Sequence, residues 1–208
     1  MILRDTTETR RRAAALIKAG SLIAFRTDTF YGLGADPFNR GALQQLLSLK
    51  GRGDGKPILL VIGDASEVSR FSSRRTKLFD AVSARHWPGA LTLVLSARAE
   101  LPPELTAGTG TIGLRLPADE AVRALVRACG GALTATSANP AGAPPARTAE
   151  EVSGFFPAGL ALIVDGGATR TEEPSTVLDV SREDARLIRE GAVSWRELQE
   201  TIKAVSGQ

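Results

Sequence analysis

The sequence predicts an α/β fold with one large sheet, on three observations. Short apolar runs alternate with helical patterns along the whole chain. No repeat, low-complexity tract or convincing linker interrupts that rhythm. The 208 residues, 43% hydrophobic and 24% charged, suit one sizeable domain with an ordinary core.

The elements follow in order. A first helix is closed by Gly20, with Arg10 to Arg12 on its solvated face. "SLIAF", Ser21 to Phe25, reads as a strand. "GALQQLLSLK" places Leu43, Leu46 and Leu47 on one helix face and stops at Gly51. "ILLVIG" is a continuous apolar strand buried on both faces. A polar helical stretch over about Ser66 to Arg85 runs up to the punctuation "WPG". "ALTLVLS" and "TIGLRLP" are strands, and "DEAVRALVRAC" is a helix stopped by Gly130 and Gly131. "ALTATSAN" is a strand running into a polar turn. Thr148 with Glu151 is a capping box opening a short helix. "LALIVDGG", "STVLDVS" and "RLIREGA" are three more strands. Ser194 with Glu197 is a second capping box, opening a C-terminal helix over about 195–205.

Charge and composition bound the function. Lys plus Arg number 26 against 23 for Asp plus Glu, a mild excess that fits an anionic small molecule or RNA. Cys129 is the single cysteine, so no internal disulfide forms, and a reducing cytoplasmic location is expected. No apolar segment approaches a membrane span of roughly 18–20 residues. His86 is the single histidine, which excludes His-based metal clusters and paired-His acid/base schemes. It reads as a packed helix-end residue, and Cys129 as a core residue beside Val122, Leu125 and Val126. What remains is chemistry by positioning and charge.

Two phosphate-loop look-alikes fail on context. "GTGTIG" matches G-x-G-x-x-G, but a Pro-rich loop precedes it and a strand follows, whereas a dinucleotide site needs strand then helix. "KGRGDGKP", Lys50 to Pro57, resembles a degraded Walker A loop. Pro57 stands where that loop needs Ser or Thr, and a strand begins where it needs a helix. The embedded Arg52-Gly53-Asp54 has no secreted context to make it an adhesion signal. The glycines here read as a hinge or lid.

Four polar clusters lie at strand ends: "RTDTFYGLG", "KGRGDGK", "TSAN" and "PSTV". Such termini form the ligand crevice of an open α/β sheet. Each cluster alone also suits a turn or a solvated charge, and Lys50 alone suits a helix C-terminus. Together they combine the cations and hydroxyls that phosphate and carboxylate ligands need.

In order, "TDTFYGLG", "KGR…KP", "WPGALTLVL", "TIGLRLP", "TSAN" and "PSTVLD" resemble the YrdC-like family of threonylcarbamoyl-AMP synthases, from about Leu16 to Ser194. The resemblance implies a single domain over 1–208, a twisted mixed parallel and antiparallel sheet with flanking helices, and a positively charged cleft. It implies a nucleotidyltransferase that joins L-threonine, bicarbonate and ATP, with Mg2+, into threonylcarbamoyl-AMP and pyrophosphate. The product serves tRNA threonylcarbamoyladenosine modification, so tRNA or tRNA-modification proteins are implied partners, and no membrane. By motif, Lys50 and Arg52 carry over as catalytic cations. Arg52, Lys56, Thr111, Ser137, Asn139 and Arg189 carry over as ATP-binding residues, and Thr29, Arg115 and Ser175 as threonine-binding residues. The chain departs from the pattern at Arg26, Gly53 and Ala90, where the family often has Pro. Two other functions compete. One is an RNA-binding or ribosome-associated module using the same basic cavity, weakened by an aromatic content of 5%. The other is carbamoyl-phosphate-dependent adenylate chemistry, which usually accompanies a larger multidomain chain.

Overall fold

The computed structural model describes residues 1–51, 55–169, 171 and 173–206. The first half runs β1 (Ile2–Arg4), α1 (Thr7–Lys18), β2 (Ile23–Arg26), β3 (Tyr31–Gly34), α2 (Arg40–Leu49), β4 (Leu60–Ile62), α3 (Val68–Phe71), α4 (Lys77–His86) and β5 (Leu91–Ser96). Then come α5 (Pro103–Thr106), β6 (Thr111–Arg115), α6 (Glu120–Ala128), β7 (Ala132–Thr134), β8 (Thr136–Ser137) and α7 (Ala149–Phe155). β9 (Leu162–Asp165), β10 (Thr176–Asp179), β11 (Arg186–Arg189) and α8 (Trp195–Ser206) complete the chain.

The strands form two mixed sheets rather than the one expected. One has the order β1-β9-β2-β3-β8, the other β11-β10-β5-β6-β4-β7. The break falls inside "ALTATSAN", which is not one strand. Residues 132–134 pair with β4 in the second sheet, and residues 136–137 pair with β3 in the first. Thr134 stitches the two together. Its fully buried hydroxyl donates to Leu33 O at 3.0 Å and accepts from Ala35 N at 2.8 Å. A hydroxyl in a β-branched side chain can satisfy two backbone groups where strands part company, which an apolar residue cannot.

Other differences have local causes. β1 and β3 are strands the alternation did not announce, because β1 is short and β3 is half glycine. The polar stretch 66–85 is not one helix. Ser72 leaves the helical region at ψ 136, and its hydroxyl bonds the carbonyls of Arg74 and Ser96. Thr76 then caps α4 by accepting from Phe79 N at 3.0 Å. Arg10 is only partly solvated; it grips Asp5 through Nε at 2.6 Å and Nη2 at 3.0 Å. Arg11 and Arg12 are exposed.

The two capping-box residues behave as read, with one amendment. Glu151 N donates to Thr148 Oγ1 at 3.2 Å, but the Glu151 carboxylate accepts from Arg147 N, not from Thr148 N. Glu197 N donates to Ser194 Oγ at 3.2 Å. α1 and α6 pack over a small core of Ala13, Ile17, Phe25, Val122 and Val126. A larger core fills the space among α2, α4, β5 and β6, around Leu43, Leu46, Phe79, Leu93 and Leu114. Cys129 sits half-buried at the rim of the smaller one, its thiol pushed up to about 12 by burial. His86 is held at the end of α4, its Nε2 2.9 Å from Thr201 Oγ1 of α8. These helices and the two cores hold the sheets around a large cleft.

Candidate active site

The cleft encloses about 940 Å³, a size that suits a nucleotide with a small second ligand. Its described lining carries five cationic side chains, Lys56, Arg115, Arg182, Arg186 and Arg189, against the acidic Asp179 and Asp184. Among the site residues expected from the sequence, Thr29, Lys56, Thr111, Arg115, Ser137, Ser175 and Arg189 face this one space. They come from both sheets, which is why the sheets' separation matters: the cleft lies where they diverge.

The turn between β2 and β3 sets Thr29. Thr27 Oγ1 donates to Phe30 O at 2.7 Å and accepts from Thr29 N at 3.2 Å, closing the turn with side-chain as well as backbone bonds. Thr29 Oγ1 in turn accepts from Arg115 Nη1 at 3.0 Å. Arg115 ends β6 and is buried, its Nη2 3.1 Å from Asp28 Oδ1. Burial pushes its pKa down and Asp28 opposes the shift. Guanidinium starts so basic that it stays charged. The Asp28 carboxylate holds its other oxygen 3.3 Å from Ala118 N.

Further along the same sheet, Arg189 reaches back to the residue before β10. Its Nη2 donates to Ser175 O at 2.7 Å and its Nε to the same oxygen at 3.2 Å. Ser175 Oγ lies 3.0 Å from Thr92 Oγ1, a hydroxyl near the start of apolar β5. Burial, then the charge of Arg115, push the Arg189 pKa down. The two guanidiniums therefore share one electrostatic space, where an anion relieves their repulsion. At the other end of β6, Thr111 Oγ1 is 2.9 Å from Thr109 Oγ1.

Lys50 and Asn139 stand apart from the lining. Lys50 is 5% exposed, and its ammonium donates to Ser137 O at 2.7 Å, Asn139 O at 2.5 Å and Asn139 Oδ1 at 3.1 Å. Asn139 Nδ2 donates to Ala143 O. The K-x-R lysine thus meets the S-x-N turn through backbone carbonyls, behind the face that Ser137 presents to the cleft. Arg52, the other expected catalytic cation, lies outside the described residues.

Sequence reasoning did not single out Thr27, Asp28 or Thr92. A signal existed for each. Thr27 and Asp28 stand in the same "TDT" as Thr29, and Thr92 is a polar residue inside the apolar run "LTLVL".

Comparison with known proteins places the chain in a family. The Sua5–YciO–YrdC family model, described as telomere recombination, matches residues 15–191. A threonylcarbamoyl-AMP synthase of Thiobacillus denitrificans is 38% identical over 181 residues, covering 85% of this chain and 96% of that protein. A Bacillus subtilis protein of the same name is 36% identical over 197 residues, 94% of this chain but 56% of its own length. The chain therefore spans little more than half of some relatives and nearly all of others. Pyrococcus abyssi Sua5 in complex with L-threonine superposes with a TM-score of 0.91 at 31% identity, over 100% of this chain and 63% of that one. Escherichia coli YciO superposes with a TM-score of 0.84 at 25% identity, over 93% and 94%. With a family match across most of its residues, the chain belongs to the Sua5–YciO–YrdC family.

Proposed function

We propose that the chain is a threonylcarbamoyl-AMP synthase, a nucleotidyltransferase acting on L-threonine, bicarbonate and ATP. The observation that carries this reading is the convergence of Thr29, Arg115, Ser175 and Arg189 on one cleft, in a fold that matches a threonine complex. A planar guanidinium among hydroxyls is the arrangement that recognises a carboxylate.

The reaction needs no protein nucleophile. The threonine amine forms a bond to the carbon of bicarbonate, water leaves, and a carbamate results. A carbamate oxygen attacks the α-phosphorus of ATP, and the bond to the bridging oxygen breaks, releasing pyrophosphate. The protein's task is to hold two anions together in line. Proximity supplies roughly 7–11 kcal/mol in well-oriented reactions. Arg115 with Thr29 holds the threonine carboxylate, and Ser175 closes that subsite. Lys56, Thr111, Ser137 and Arg189 face the triphosphate and stabilise charge as it develops. Arg52 joins them in this proposal as a catalytic cation. Lys50, in contact with the carbonyls behind Ser137, orients the S-x-N turn together with Asn139, so the cationic half of the motif acts partly through the backbone.

Magnesium fits this cleft as a companion of ATP. Among the described residues no three His, Cys, Asp or Glu side chains converge, so triphosphate oxygens and water would hold the ion. It would supply charge neutralisation on the phosphates. The tRNA partner and the cytoplasmic setting belong to the same proposal. Among the described residues no helix is long and apolar enough to cross a membrane.

Pyrophosphate release from ATP, with threonine and bicarbonate omitted in turn, tests the reading. Release that requires both is expected. Release that ignores either one, or RNA binding without any turnover, would overturn it.

A further inference from the structure

Asp28 has no place in the reaction as described, yet its charge sits against the most buried cation of the cleft. Its Oδ1 lies 3.1 Å from Arg115 Nη2, with side-chain exposures of 13% and 7%. That oxygen accepts no hydrogen bond from any described residue, so the contact is charge against charge, off the hydrogen-bond axis. Oδ2 is tied to Ala118 N at 3.3 Å, which anchors the carboxylate to the segment just beyond Arg115. Asp28 does not itself line the cleft, whereas Arg115 does.

We propose that Asp28 is a positioning residue for the threonine subsite, fixing where the Arg115 guanidinium points. The proposal rests on the synthase reading for the identity of the ligand. Arg115 carries two loads, and only one is a hydrogen bond: Nη1 reaches Thr29 while Nη2 faces Asp28. Arg189, a second cation lining the same cleft, repels it. Without a fixed negative charge behind it, a buried guanidinium held by a single hydroxyl turns toward whatever anion is nearest. With Asp28 in place, the fork keeps one orientation before and after threonine arrives. A misplacement of about 1 Å in such a clamp can cost on the order of 100-fold.

Two variants separate position from charge. Asp28→Asn keeps the shape and removes the charge; Asp28→Glu keeps the charge and displaces it by one methylene. Threonine affinity is read directly by titration calorimetry, alongside threonine and ATP KM values and melting temperature. Both variants are expected to weaken threonine binding about 10-fold or more and leave the ATP KM within about twofold. In combination with Arg115→Lys, neither adds its full effect, because both act through one guanidinium. Loss of the negative charge alone would strengthen binding of an anion. Tighter threonine binding in Asp28→Asn, or unchanged binding in Asp28→Glu, would therefore overturn the proposal. So would a fully additive double variant, or equal shifts for threonine and ATP. If Asp28→Asn fails to fold, Asp28→Glu carries the test. If the parent binds threonine without releasing pyrophosphate, the synthase reading fails while the calorimetry still decides the role of Asp28. A parent that binds no threonine overturns both.

Discussion

Replacing Lys50 by Met removes one buried ammonium and keeps most of its length. In the parent, that ammonium satisfies Ser137 O, Asn139 O and Asn139 Oδ1, at 2.7, 2.5 and 3.1 Å. Hydrogen bonds to a charged group contribute roughly 1.5–3 kcal/mol each, and a buried acceptor left unmade costs about 1–3 kcal/mol. The three are not independent, since they share one donor group and one short turn. The expected loss is about 3 kcal/mol, within the range for breaking a buried network. For a domain of this size each kcal/mol lowers Tm by ~2–4 °C, so a fall of about 6–12 °C is expected in a thermal melt. Below its own Tm the variant should still be deficient in pyrophosphate release, because the turn that presents Ser137 has lost its anchor. A Tm within about 1 °C of the parent would rule out this role for the ammonium. The ammonium would then not be buried in that turn in solution. Near-parental turnover in the folded variant would remove Lys50 from the catalytic account as well.

Three further outcomes follow from particular contacts. Arg115→Lys leaves one ammonium to serve Thr29, Asp28 and the substrate, and should raise the threonine KM about 10-fold or more, with little change for ATP, in steady-state assays. Gly191→Ala would place a Cβ 2.1 Å from Pro174 O and 2.9 Å from the Ser175 carbonyl carbon. The backbone beside Ser175 must then move, and a Tm loss corresponding to about 1–3 kcal/mol with a raised threonine KM is expected. Burial, helped by Arg85 and opposed by Glu197, holds the His86 pKa below its ordinary 6.5. The unfolded chain takes up that proton first as pH falls. The neutral ring therefore contributes stability that is present above about 6.5 and lost as pH falls through the lower folded pKa. Melts across this window should show an acid-side loss that His86→Gln reduces.

Much of this fold is legible in the sequence because its signals are local. The helices over 40–49, 120–128 and 195–206 announce themselves by period and punctuation, with the glycines after 50 and 129 as stops. The apolar runs at 91–96 and 162–165 are strands for the same reason. What the sequence does not disclose is long-range. The parting of the two sheets depends on Thr134 finding Leu33 and Ala35, about a hundred positions earlier in the chain. No local pattern distinguishes a strand that continues from one that changes partners. The site divides in the same way. Thr29, Ser137 and Ser175 were readable as polar residues at strand ends, and the fold brings them to one cleft. What a buried cation meets is decided only by what lies opposite, which is why the sequence marks Lys50 as a catalytic cation without showing the carbonyls of Ser137 and Asn139 that it touches. Asp28 was hidden between two threonines for a related reason: its partner is 87 residues further along, and only packing makes them a pair.

In the proposed reaction this cleft joins threonine, a one-carbon unit from bicarbonate and the adenylyl group of ATP. Mass spectrometry of a rapidly quenched reaction with isotopically labelled bicarbonate tests it most directly. The expected nucleotide product has the mass of threonylcarbamoyl-AMP bearing the label, and is absent when threonine is withheld. AMP or ADP as the sole nucleotide product, with no label incorporated by an enzyme shown to be folded, would contradict it.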